Sequence, residues 1–129
     1  MQKNTRHHLD RISRIFKRIV PIYWAFLTYI LLGPGNDRAE DWVAFEGLDK
    51  VVHFVVFAIL SFSLKAAFPK MRMIVLYIII IIYGIATEVL QGSMNLGRSM
   101  EFADFVADLL GAITGYLLFK TTIRFLGVK

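Results

Sequence analysis

Four apolar runs separated by short polar stretches dominate the pattern of this chain, at about residues 19–32, 51–64, 73–90 and 102–119. A transmembrane helix needs roughly 20 consecutive, mostly apolar residues. The first run is short for this purpose, so we expect tilting or local thinning of the bilayer there. The pattern predicts an all-α fold: a membrane bundle of four transmembrane helices that forms one domain over residues 1–129.

A basic segment precedes the first run. Residues 1–18 carry six Lys or Arg residues against one acid, Asp10, and their apolar residues recur at helical spacing. This pattern predicts an amphipathic helix that lies on the membrane surface before turning into the first span, with a frayed basic tail as the alternative. Pro21 lies near the start of that span, where a helix tolerates proline. Leu31-Leu32-Gly33-Pro34 offers no Ala-x-Ala-like cleavage site, so we interpret the segment as a retained anchor.

The positions of Lys and Arg predict how the bundle is oriented. Twelve of the fifteen lie in the N-terminal segment, the turn between the second and third runs, and the C-terminus. The opposite side contains only Arg38, Lys50 and Arg98, together with nine of the ten acids. Because positive residues favour the cytoplasmic side, we predict a multi-pass protein of the bacterial inner membrane with both termini in the cytoplasm.

Composition narrows the classes of partner. A hydrophobic content of 57% indicates the lipid bilayer as the surroundings of the chain. The net charge is +5, but no zinc spacing, RNA-binding signature or stacking platform accompanies it, so we predict no nucleic-acid partner. The absence of cysteine excludes disulfides, thiolate metal ligands and a cysteine nucleophile. No pattern specifies an oligomeric state.

Ionisable residues gather at the ends of the last three runs that face the predicted outer side. On a helix, Gly84 and Glu88 share one stripe with Gln91, and Asp104 and Asp108 share another with Gly111 and Gly115. Small residues four apart, including Ala107, mark surfaces where membrane helices approach closely. We therefore predict one extracytoplasmic polar pocket, with these ligand-binding candidates: Asp49, Lys50, His53, Glu88, Gln91, Arg98, Glu101, Asp104 and Asp108.

The same residues carry a family resemblance. Asp49-Lys50-Val51-Val52-His53-Phe54, Glu88 with Gln91, Gly97-Arg98, and Asp104 through Asp108 to Gly111 and Gly115 resemble the VanZ-like family of small bacterial membrane proteins. Leu96 replaces the proline usual before Gly-Arg, and Leu109 and Leu110 stand where an asparagine is often found. The resemblance implies a link to resistance against the glycopeptide antibiotic teicoplanin, or to envelope homeostasis.

We consider three interpretations of this group of ionisable residues, and two of them involve no catalysis. In the structural one, Lys50, His53 and Arg98 only neutralise the acids and lock helix ends together. In the binding one, Arg98 and Lys50 engage the phosphate or carboxylate of a lipid headgroup, a cell-envelope precursor or a glycopeptide. Glu88, Asp104 and Asp108 take its amine or hydroxyl groups. We predict binding as the function and keep the structural network as an alternative.

The third interpretation is a membrane-embedded enzyme acting on an envelope lipid or precursor. His53 or Glu88 would be the general base and Asp104 or Asp108 the acid, with or without a divalent cation between them. Because a lone histidine is more often a hydrogen-bonding partner than a ligand, we predict no metal and no other cofactor. The sequence leaves open whether the protein is an enzyme.

Overall fold

The computed structural model describes residues 2–33, 47–94 and 101–127, with side chains from residue 7 onward. These ranges contain four helices and no strand: α1 (Gln2–Leu32), α2 (Leu48–Ala67), α3 (Met73–Ser93) and α4 (Phe102–Phe125). All four are long and apolar enough to cross a membrane. The predicted all-α bundle of four spans is confirmed.

The observed helices extend beyond the predicted apolar runs. α2 begins at Leu48 and ends at Ala67, and α4 continues to Phe125. The predicted limits followed hydropathy, which falls at the first charged residue. The helical backbone continues through such residues, because intrahelical hydrogen bonds keep its polar groups satisfied at the membrane boundary.

α1 is a single helix that includes both the basic segment and the first span. The predicted turn between these two parts is wrong, because the helix passes through Pro21 without interruption. Its 31 residues extend about 46 Å, which exceeds the roughly 30 Å hydrocarbon core. The candidate span within it, His7–Leu32, has 26 residues, so the helix is long enough to cross although its apolar run, 19–32, is short.

The hydrophobic core joins all four helices, with Ala112 as the contribution of α4. Leu27, Phe57, Leu60, Leu76 and Ile80 are fully buried. Many large apolar side chains cover the outside of the bundle instead, among them Ile22, Phe26, Tyr29, Ile82 and Leu117. An apolar exterior of this extent fits a lipid environment.

α2 and α4 approach each other most closely. A Cβ atom placed on Gly111 would overlap the backbone carbonyl of Phe54, and one placed on Gly115 would overlap that of Ala58. Three residues after Ala58 along α2, the Ser61 hydroxyl donates to the carbonyl of Ala112 of α4 at 2.7 Å. The small residues of α4 thus form the close helix contact that their spacing predicts.

A buried lysine lies in the last turn of α2 and binds the turn that follows it. Lys65 is only 7% exposed, and its ammonium donates to the carbonyls of Pro69 at 2.9 Å and Met71 at 2.8 Å. The Ser13 hydroxyl of α1 donates to the carbonyl of Ala67 at 2.6 Å. These bonds hold the turn between α2 and α3 against α1.

Candidate functional site

The C-termini of α1 and α3 meet the N-termini of α2 and α4 at one end of the bundle, which we call the polar end. Lys50 of α2 contacts Glu101 and Asp104 at the start of α4, and Gln91 of α3 contacts Leu31 of α1. Consecutive helices joined by short connections run antiparallel, so alternate helix ends meet. The predicted gathering of polar residues on one side is therefore observed.

The most deeply buried contact at the polar end joins His53 of α2 to Asp108 of α4. The ring Nδ1 lies 2.9 Å from Oδ1 of Asp108, and both side chains are fully buried. With Asp108 ionised, its carboxylate can only accept a hydrogen bond, and Nδ1 of His53 would then be the donor. The contact is possible because Phe54, the residue after His53, packs directly against Gly111, one turn below Asp108.

Glu88 reaches the same region from α3. Its side chain is buried, and its Oε2 accepts the backbone N–H of Glu101 at 3.1 Å. One turn earlier, a Cβ atom on Gly84 would lie 3.2 Å from Oδ2 of Asp108. The absence of a side chain at Gly84 therefore lets Asp108 lie close to the backbone of α3. The stripe of α3 that holds Gly84 and Glu88 thus faces the stripe of α4 that holds Asp108.

Lys50 lies at the rim of the cluster. Its Nζ is 2.8 Å from Oε2 of Glu101 and 3.4 Å from Oδ1 of Asp104. The side chains of Lys50 and Glu101 are 41% and 48% exposed, whereas that of Asp104 is 3% exposed. Lys50 thus connects an exposed acid with a buried one, and its ammonium remains accessible from outside.

The other predicted site residues have different surroundings. Asp49 is exposed at the rim. Gln91 is buried, and its Nε2 donates to the carbonyl of Leu31 at 2.6 Å, so it ties α3 to the end of α1. Arg98 lies outside the described residues. The ligand-binding assignment of all three stays a prediction.

A polar contact that sequence reasoning missed lies deeper in the bundle. The hydroxyls of Thr28 and Tyr83 are 2.8 Å apart, and Tyr83 stacks edge-on against Trp24. Tyr83 precedes Glu88 by five residues, so it lies about 7 Å from Glu88 along the axis of α3, on the side away from the polar end. The signal available in the sequence was a pair of hydroxyl residues in facing apolar runs, but nothing in the sequence paired them.

Several buried atoms of the site have no hydrogen-bond partner within the described part of the chain. They are Nε2 of His53, Oε1 of Glu88, Oδ1 of Asp104 and Oδ2 of Asp108, of which Oδ1 of Asp104 lies 3.4 Å from Nζ of Lys50. Two overlapping triads, Asp49–His53–Asp104 and His53–Glu88–Asp108, each offer ligand atoms within 4.8 Å of one another. Buried polar atoms normally have partners, so this arrangement suits a bound polar group or cation.

The comparisons with known proteins give one match. The model of a protein family described as VanZ/LLP1 matches residues 2–125, which is nearly the whole chain. No curated protein and no solved structure matches the chain.

Proposed function

Because the chain belongs to the VanZ/LLP1 family, we propose that its polar end binds the headgroup of a cell-envelope lipid or precursor in the outer leaflet of the bacterial inner membrane. The observation that carries this proposal is an accessible ammonium, Lys50, above three buried side chains, His53, Glu88 and Asp108, each with one polar atom that has no hydrogen-bond partner among the described residues. The consequence for the cell would be glycopeptide (teicoplanin) resistance or envelope homeostasis.

The proposed orientation places both termini in the cytoplasm and the polar end outside. It rests on the distribution of Lys and Arg, twelve of which lie on the side of the termini. Cell-wall intermediates and glycopeptides are met on the outer side, so this orientation favours an envelope ligand. An orientation with the polar end in the cytoplasm would remove this support.

The depth of the cluster fits a headgroup. Counted along α4, Asp104 lies about 3 Å and Asp108 about 9 Å beyond Phe102. The headgroup layer of each leaflet is about 5–8 Å thick, the difference between the whole bilayer and its hydrocarbon core. If Phe102 lies at the outer boundary of the headgroup layer, Asp104 falls inside this layer and Asp108 near its inner edge, where the polar groups of a lipid can reach them.

The charges define which ligand groups fit. Lys50 offers an ammonium to a phosphate or carboxylate, for which it would exchange its partly exposed pair with Glu101. Glu88, Asp104 and Asp108 offer acceptors to amines and hydroxyls deeper in the site. A zwitterionic or amine-bearing anionic headgroup matches this order of charges.

One observation favours an enzyme as the second candidate. A histidine whose Nδ1 is held by a carboxylate, as His53 is by Asp108, has the orientation of a general base. In that case His53 would remove a proton from water or a ligand hydroxyl, and the reaction would be hydrolysis or transfer at an envelope lipid.

Lipid binding by matched lysine variants tests the proposal. Lys50→Gln removes the rim ammonium, whereas Lys120→Gln removes an exposed ammonium in the last turns of α4, at the opposite end of the bundle. Native mass spectrometry of protein in nanodiscs containing anionic and amine-bearing lipids should show bound lipid for the wild type and Lys120→Gln, and at least tenfold less for Lys50→Gln.

Teicoplanin susceptibility of cells expressing the same variants gives the cellular measurement, and it should follow lipid occupancy. Equal occupancy in Lys50→Gln and wild type would refute headgroup binding at this site. Conversion of a bound lipid to product that stops in His53→Gln would establish the enzymatic alternative instead.

A further inference from the structure

We infer that His53, Glu88 and Asp108 form a binding site for one divalent transition-metal cation. This inference goes beyond headgroup binding, since a cation could occupy these residues with or without a lipid. It also replaces the sequence-based expectation of no metal, which rested on His53 being a lone histidine.

Burial and missing partners carry the first step. His53, Glu88 and Asp108 are respectively 0%, 2% and 0% exposed. Each uses one polar atom within the protein: Nδ1 of His53 with Oδ1 of Asp108, and Oε2 of Glu88 with the N–H of Glu101. The second oxygens of Glu88 and Asp108 are buried without a partner in the described residues, and a bound ion would satisfy both of them.

The balance of charge carries the second step. The cluster buries three carboxylates, those of Glu88, Asp104 and Asp108. Within the described ranges, the ion pairs to these acids come from Lys50, which contacts Asp104, and from His53, which contacts Asp108. Glu88 is left with a backbone hydrogen bond, so its negative charge is not matched by a described cation. A divalent ion would supply the missing positive charge.

The geometry needs little change to hold the ion. Ligand atoms about 2.1 Å from a tetrahedral metal lie about 3.4 Å from one another. One ligand atom from each side chain already lies within 4.8 Å of the others, so side-chain shifts of about 1 Å suffice. The ion would replace the hydrogen bond between Nδ1 of His53 and Oδ1 of Asp108, and the contact of Glu88 with the N–H of Glu101 would orient that carboxylate, as outer contacts of metal ligands commonly do.

The inner triad is preferred over the outer one. Asp49–His53–Asp104 includes Asp49, which is exposed, and Asp104 already has Lys50 as a charged neighbour. One imidazole and two carboxylates suit Zn²⁺ or Mn²⁺ better than Ca²⁺, which takes six to eight oxygen ligands. Three protein ligands leave positions open for water or for an oxygen of a headgroup.

Metal content of the purified protein tests the inference without any lipid. Protein in detergent would be stripped with EDTA and dialysed against Zn²⁺ or Mn²⁺, and bound metal would be measured by mass spectrometry of the elements. We expect about one equivalent and a higher melting temperature than in EDTA. Glu88→Gln and Asp108→Asn should weaken binding at least tenfold, and Asp10→Asn, which removes an exposed acid near the N-terminus of α1, should bind as the wild type does.

Three outcomes would overturn the inference. Metal content near zero with unchanged melting temperature would show that no ion binds. Loss of binding in Asp49→Asn together with normal binding in Glu88→Gln would move the ion to the outer triad. Destabilisation by Arg98→Gln without any effect of EDTA would show that an arginine supplies the missing charge. Folding of each variant is checked by its melting temperature in EDTA, and failure of lipid binding alone leaves this result unaffected.

Discussion

Replacing Gly111 by alanine should separate α2 from α4 and disturb the site above them. The added methyl group would overlap the carbonyl oxygen of Phe54, which belongs to the backbone of α2 and cannot rotate away as a side chain does. Restoring ordinary van der Waals separation requires the two helices to move apart by about 1 Å. Such a movement lengthens the 2.9 Å contact between His53 and Asp108 beyond hydrogen-bonding distance.

The expected cost follows from these contacts. Overpacking costs about 1–3 kcal/mol. Loss of the neighbouring bond from Ser61 to the Ala112 carbonyl adds about 1 kcal/mol. Alanine returns about 1 kcal/mol through its higher helix propensity than glycine. We therefore expect Gly111→Ala to lower the free energy of unfolding by about 1–3 kcal/mol.

Reversible unfolding by SDS in mixed micelles, followed by circular dichroism, measures this loss. Gly84→Ala is the matched control, because its methyl group would meet Asp108 Oδ2 at 3.2 Å and the Phe105 ring at 3.4 Å, both on side chains that can shift by a few tenths of an ångström. We expect it to cost less than about 1 kcal/mol. If Gly111→Ala is as stable as the wild type, or no worse than Gly84→Ala, α2 and α4 do not approach at Phe54.

Three further predictions concern other contacts. Lys65→Met removes the ammonium that donates to the carbonyls of Pro69 and Met71, and should lower the free energy of unfolding by about 1–3 kcal/mol in the same assay. The control Lys70→Met, at an exposed lysine, should change it by less than about 0.5 kcal/mol. Gln91→Leu removes the donor to the Leu31 carbonyl and should speed hydrogen exchange at the C-terminal end of α1. The control Ser93→Ala should not, because the Ser93 hydroxyl donates to the Leu90 carbonyl within α3. The chain has no cysteine, so single-cysteine variants report topology: a membrane-impermeant maleimide should label Asp49→Cys but not Lys70→Cys in intact cells, and the reverse would refute the proposed orientation.

The face of each helix that carries the site was predictable from sequence. Asp104, Asp108, Gly111 and Gly115 fall on one stripe because helical periodicity alone decides it, and all four are buried. Their partners were not predictable in the same way. The pairing of His53 with Asp108, and of Lys50 with Asp104, depends on the rotation and crossing of two separate helices, which no single period encodes.

The error at α1 has a different physical origin. A hydropathy count ends a span where charged residues begin, so the basic segment and the apolar run looked like two elements. A helix does not end for that reason, because its own hydrogen bonds satisfy its backbone on both sides of the membrane boundary. Pro21 removes one of those bonds, and the helix from Gln2 to Leu32 continues through it.

The buried charges and the close glycine contact depend on each other. A charged side chain facing hydrocarbon costs about 2.5–3.5 kcal/mol on insertion scales, so Asp108 and Glu88 are tolerable only where protein surrounds them. Gly111 and Gly115 provide that enclosure by letting α4 reach the backbone of α2, which also brings His53 to Asp108. Helices held apart by larger residues would expose the same carboxylates to lipid and leave His53 without its partner. Disruption at Gly111 should therefore weaken metal and headgroup binding alike, even though glycine itself offers no ligand to either.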